Sequence, residues 1–182
     1  LDEEQDIFAP VTQITRSRAV WLGINLITAL VASVVIGRFQ DTIGQLVALA
    51  VLMPIVASMG GNTGIQSLTV VIRGLAVGTI SASNARRIFF KEMLVGSLNG
   101  LIWALVTAMI TVLWFDDLQL GIIIGAAMII TMTSASLFGA LLPVLMTRYG
   151  IDPTLAGGVA LTTVADVVGF LSFLGLAAVF LT

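Results

Sequence analysis

One carboxylate, Asp166, interrupts an apolar run of small residues near the C-terminus, "LTTVADVVGF" over 161–170. A lone acid in such surroundings has one obvious use, the attraction of a cation. Gly158, Thr162, Ala165 and Gly169 recur around it at three- and four-residue spacing. On a helix these positions join Asp166 in one small, polar stripe, while Leu161, Val164, Val168 and Leu171 supply apolar contacts on other faces. Such a stripe lets another helix or water come close. The bland reading has Asp166 protonated or hydrogen-bonded to a neighbouring helix, as glue. The functional reading has it facing an aqueous path. A charge held near mid-membrane costs at least about 2.5–3.5 kcal/mol on insertion scales, which favours a functional site over glue.

A second concentration of polar residues is "PIVASMGGNTGIQSLTVVIRG", residues 54–74. Pro54 and the glycines predict a span whose later part is bent or locally unwound, tolerated at membrane depth only where protein or a water-filled cavity satisfies the freed backbone. Asn62 and Gln66, four apart, share a face if the segment stays helical. Their amides could bind a hydrated ion or line a cytoplasmic mouth, or simply join helices. No lysine follows the glycines, so a phosphate-binding loop does not fit. The hydroxyls of "TMTSAS" (131–136), with Asn25 and Asn99, read better as packing than as pore lining. Asp116 and Asp117 read as a helix cap, or else as an acidic entrance that concentrates cations. Glu92 and Asp152, read as loop residues, face the same compartment as Asp2, Glu3, Glu4 and Asp6. Together they form either a cation-binding inner face or a solvated acidic linker.

These residues must be carried by membrane helices. The 182 residues are 58% hydrophobic and 10% charged, with a mean hydropathy of +1.11, too few charges to clothe a water-facing surface. The expected fold is all-α, a polytopic bundle with spans at about 19–37, 43–72, 93–115, 119–146 and 155–181. Residues 1–18 read as a cytoplasmic linker and 19–182 as the transmembrane domain. The opening "LDEEQDIF" has no initiator methionine, so the expectation is a piece of a longer protein. Seven of the eight basic residues, all but Arg38, fall on one side, which predicts an N-in, C-out orientation. Trp21 and Trp114 fit interfacial anchors. With no cysteine and no histidine, ion chemistry rests on oxygen ligands, which suit hard cations such as magnesium. No nucleophile–base pair is visible, so an enzyme is not expected. Five spans without an internal repeat point to a pore built from a second copy. A two-fold axis would then bring two Asp166 carboxylates together and match a divalent cation.

At this point "PIVASMGGNTGIQS", with "VIRGLAVGTI" after it and "ADVVGF" later, resembles the membrane domain of MgtE-type magnesium channels. The likeness runs from "DIFAPV" through the last span. It implies a homodimer in the inner (plasma) membrane, five helices per subunit, and a magnesium-selective path along the dimer axis. It implies Asp166 as the ligand of a hydrated, transported Mg2+, and Asn62 as a lining residue, with Gln66 and Gly169 beside them. The Thr162 carbonyl is an accessory ligand candidate. Glu92 and Asp152 are inner-face candidates with no motif to match. The resemblance also implies cytoplasmic N-terminal and CBS regulatory domains, which this chain lacks, and no nucleic-acid partner. The alternative activity is a cation/proton secondary transporter with Asp166 as the coupled carboxylate; a purely structural anchoring domain is the third reading.

Overall fold

The computed structural model describes residues 10–81 and 83–181. Six helices follow in order: α1 (Val11–Gly37), α2 (Gln40–Gln45), α3 (Ala48–Ala76), α4 (Ala85–Phe115), α5 (Leu118–Arg148) and α6 (Pro153–Phe180). All but α2 are long and apolar enough to cross a membrane. At 1.5 Å per residue, 27 to 31 residues reach about 40–46 Å, the hydrocarbon core together with both headgroup layers. This is an all-α, multi-pass membrane protein.

Helix ends differ from the sequence reading where polar residues continue an apolar helix. Residues 11–18, expected in the linker, are the first turns of α1. Pro10 stands at the N-cap, where a missing N–H removes no helix bond, and nothing in "VTQITRSR" breaks the helix after it. The acids at positions 2–6 lie outside the described residues. Likewise α4 begins at Ala85, so Arg86, Arg87, Lys91 and Glu92 are helical. Glu92 is therefore not a loop residue, as its polarity suggested. The second expected span is divided into α2 and α3 by a break around Leu46 and Val47.

The larger correction concerns "GGNTG". α3 runs as helix from Ala48 through Ala76 with no unwound segment. The glycines there serve close packing, not unusual dihedrals. A Cβ on Gly60 would stand 2.5 Å from Thr131 Cγ2, and one on Gly64 2.9 Å from Leu161 Cδ1. Gly78 and Gly150, both in turns, are the described glycines with positive φ. Small residues of this kind let helix backbones approach, which matters in lipid because association there depends on van der Waals contact.

α5 is the central helix. It packs on α4, α3 and α6, while α3 also meets α6 and α1 leans chiefly on α6. Accordingly 61% of the most apolar stretch of α5 is buried, against 6% for α1. Large apolar side chains fill one half of the bundle, around Leu52, Val56, Ile124, Met128, Phe173 and Leu174. The other half is built from Gly64, Ser67, Gly96, Ser136, Gly139 and Gly157, so its helices sit closer and its contacts are partly polar.

Candidate functional site

The contacts at buried small residues fix how α3 and α6 lie. Gly169 meets Val56, Gly60 meets Ala165, Gly64 meets Leu161, and Gly157 meets Leu68. The partners step in opposite directions, so the helices are antiparallel and Asp166 is level with Met59, flanked along α3 by Ser58 and Asn62. The stripe expected around Asp166 is divided by this packing. Ala165 is 1% exposed and Gly169 is buried against Val56 and Thr131, whereas Gly158, Thr162 and Asp166 are partly exposed. Leu161, expected on another face, is buried because it fills the space that Gly64 leaves. Gly169 is thus packed against α3 and α5 of its own chain.

α3 has two faces. Gly60, Thr63, Gly64, Ser67 and Leu68 are buried toward its neighbours. Ser58, Asn62, Gln66, Thr69 and Arg73 are exposed along the opposite stripe. Asn62 Nδ2 donates weakly to Ser58 Oγ at 3.4 Å, and Thr69 Oγ1 donates to the Ile65 carbonyl at 2.8 Å. A continuous polar stripe on a membrane helix, with no protein over it, needs either water or another subunit against it. Asp166 stands at the level of this stripe, and no hydrogen bond or ion pair reaches its carboxylate among the described residues. Thr162, one turn away, donates its hydroxyl to Gly158 and Val159 carbonyls at 3.0 and 3.1 Å. Its own carbonyl receives the Asp166 N–H in a regular helix and keeps one lone pair. Among the described residues no three Asp, Glu, His or Cys side chains gather as a metal site. Among the described residues Asp166 is thus a lone carboxylate midway along α6, with amides and hydroxyls near it.

Glu92 and Asp152 are engaged elsewhere and are not brought to this level. The Glu92 carboxylate accepts from Ser67 Oγ at 2.8 Å, Ser67 and Ser136 hydroxyls lie 2.6 Å apart, and Ser136 Oγ donates to the Glu92 carbonyl at 2.8 Å. This network ties α3, α4 and α5 in the close-packed half. Sequence reasoning missed Ser67 and Ser136 as a pair; the available signal was a small polar residue at the buried spacing of Gly60 and Gly64. Asp152 is the N-cap of α6. Its Oδ1 accepts from the Thr154 hydroxyl at 2.7 Å and the Thr154 N–H at 2.8 Å, and these bonds hold its pKa below the ordinary aspartate value. Asp117 caps α5 by accepting from Leu120 N–H at 3.0 Å, the ordinary role weighed for it. The "TMTSAS" hydroxyls join helices: Thr133 pairs with Ser97 at 3.1 Å and Thr131 with Ser172 at 3.3 Å.

A family model described as MgtE, divalent cation transporter, matches residues 53–176. That range takes in the polar face of α3 and Asp166 on α6. The chain belongs to the MgtE family. Relatives named magnesium transporter MgtE include those of Bacillus subtilis (32% identical over 164 residues), Thermus thermophilus (36% over 161) and Enterococcus faecalis (32% over 164). The alignments cover 90%, 88% and 90% of this chain and 36% of each relative, so the chain spans about a third of their length. MgtE is a family of transporters, not of enzymes. Within the MgtE match, "GGNTG" marks where α3 is pressed by its neighbours on one side and left polar and uncovered on the other.

Proposed function

We propose that two copies of this chain form a channel in the plasma membrane that passes hydrated Mg2+ into the cytoplasm, with Asp166 of each copy as the central ligand. The observation that carries the reading is the partly exposed, unpartnered Asp166 level with an uncovered polar stripe of α3. A second copy over that stripe enclosing a wet path would satisfy both. Two facing carboxylates carry charge −2, which suits a divalent ion. Magnesium sheds water reluctantly, so a site of two carboxylates with amides binding through water fits it better than a dry cage. Asn62 and Gln66 line the path in this reading, and the Thr162 carbonyl is an accessory acceptor. Arg73, Arg86, Arg87, Lys91 and Arg148 flank the turns at one end of the bundle, an excess of positive charge that supports a cytoplasmic location for that end and the N-terminus. In a protein of the relatives' full length, the added segments would include the cytoplasmic regulatory domains that set opening.

The test is Mg2+ uptake into proteoliposomes, wild type beside Asp166→Asn and Asp166→Ala, with dimer formation checked by cross-linking. Loss of flux in both variants, with folding and dimers intact, supports the channel. Variants that conduct like wild type would make the aspartate structural and sink the reading. Flux that requires a proton gradient and saturates at low turnover would favour the secondary transporter instead.

A further inference from the structure

We infer that the basic end of the bundle holds an anionic phospholipid, with its headgroup at Arg148 and its upper acyl chain between α4 and α5. A cavity of about 640 Å³ lies there, bounded by the α3–α4 turn, the first turns of α4 and the last turns of α5. Leu75, Phe89, Leu141, Val144 and Leu145 make its walls, and Ser81, Thr147 and Arg148 stand among the lining as its polar members. This volume falls within the range of about 300–1,000 Å³ typical of small-molecule sites. An apolar wall with a cationic edge is the shape of a lipid site, because one ligand must satisfy both.

The turn that forms one wall is held by its own bonds. Gly78 adopts φ +72°, and the N–H groups of Thr79 and Ile80 both donate to the Gly74 carbonyl, at 2.9 and 3.1 Å. Asn84 then donates to the Thr79 carbonyl at 2.8 Å and accepts from Ser81 N–H at 2.9 Å. The wall therefore exists without a ligand.

Charge selects the headgroup. Arg86, Arg87 and Lys91 are exposed on the first turns of α4, and Arg148 is exposed at the end of α5. Among the described residues the carboxylates at this end, Glu92 and Asp152, are occupied by Ser67 and Thr154. Among the described residues cations thus exceed free anions at this end. Placement of Arg148 at a helix C-terminus suits the helix dipole and accounts for its charge, but not for the cavity beside it. Basic pockets between membrane helices are where anionic headgroups bind.

The experiment places a reporter in the wall. Phe89→Trp protein is reconstituted in phosphatidylcholine bilayers containing either brominated phosphatidylglycerol or brominated phosphatidylcholine, and fluorescence from the parental protein, which has three tryptophans, is subtracted. Quenching at position 89 should favour phosphatidylglycerol by about fivefold in relative binding. Arg148→Gln should abolish the preference, and Arg38→Gln, in the turn after α1, should keep it. Mass spectrometry of the unsubstituted protein released from detergent should likewise retain phosphatidylglycerol over phosphatidylcholine. Equal quenching by both lipids, or a preference that survives Arg148→Gln, would overturn the site. Displacement by inorganic phosphate would also overturn it, showing a free-anion site in place of a lipid one.

Discussion

Gly139→Ala puts the close-packed half of the bundle under direct strain. A methyl group there would press on the Gly64 carbonyl oxygen of α3, with Ser67 Cβ at 3.0 Å and Gly64 C at 3.2 Å. The oxygen belongs to a helix backbone and cannot rotate aside. Restoring a separation of about 3.5 Å requires α3 and α5 to part by about 1 Å. Overpacking of this kind costs about 1–3 kcal/mol. The same shift stretches the 2.6 Å Ser67–Ser136 contact beyond hydrogen-bond range, a further loss of about 0.5–1.5 kcal/mol. Alanine's better helix propensity returns about 1 kcal/mol. The expected net loss is about 2 kcal/mol, the middle of a span from about 0.5 to 3.5. Equilibrium unfolding in mixed micelles measures it, with Gly175→Ala as the control, since nothing lies within 4 Å of a Cβ at Gly175. The control should be neutral or slightly stabilised. If Gly139→Ala proves as stable as Gly175→Ala, the helices are not held by backbone contact there and the reasoning fails.

Ser67→Ala removes the hydroxyl donor to the Glu92 carboxylate and the link to Ser136, and should cost about 2 kcal/mol in the same unfolding assay; a change below about 0.5 kcal/mol would show that the network carries no weight. Thr111 is 1% exposed and its hydroxyl has no hydrogen-bond partner among the described residues, so the isosteric Thr111→Val should raise stability by about 1 kcal/mol, and a loss would reveal an acceptor for that hydroxyl. Asp152→Ala should lower the melting temperature at neutral pH. Because the folded pKa of Asp152 is depressed, its contribution is present above the unfolded value of about 3.9 and fades as pH falls through the lower folded value. The gap between variant and wild type should therefore close in acid, and a gap independent of pH would mean the carboxylate charge plays no part in the cap.

Asp166 could be singled out because hydropathy and charge are properties of a segment, and one acid deep in a span stands out whatever surrounds it. The caps at Asp117 and Asp152 were within reach of sequence reasoning for a similar reason, although Asp152 was read for its charge and not for its position before Pro153. "GGNTG" left local unwinding and close packing both open, because glycine's permissive backbone and its small size are the same property in sequence. Only the arrival of Thr131 and Leu161 at Gly60 and Gly64 shows that size is what α3 uses. Glu92 was misplaced because charged residues are read as ends of spans, whereas a long helix keeps its first turns in the headgroup layer.

The number of crossings, the mid-membrane carboxylate and the lack of soft metal ligands follow from composition and local pattern, since the bilayer imposes the same length and polarity on every span. Which side of each helix is covered does not follow. Asn62 and Thr63 are neighbours in sequence, yet one is exposed and the other buried toward the bundle. Asp166 is partly exposed while Ala165 beside it is buried. In lipid an apolar side chain is equally at home against a helix or an acyl chain, so hydropathy cannot choose between those faces. The fit of α3, α5 and α6 at their glycines makes that choice, and it leaves Asp166 partly exposed at the level of the uncovered polar stripe of α3.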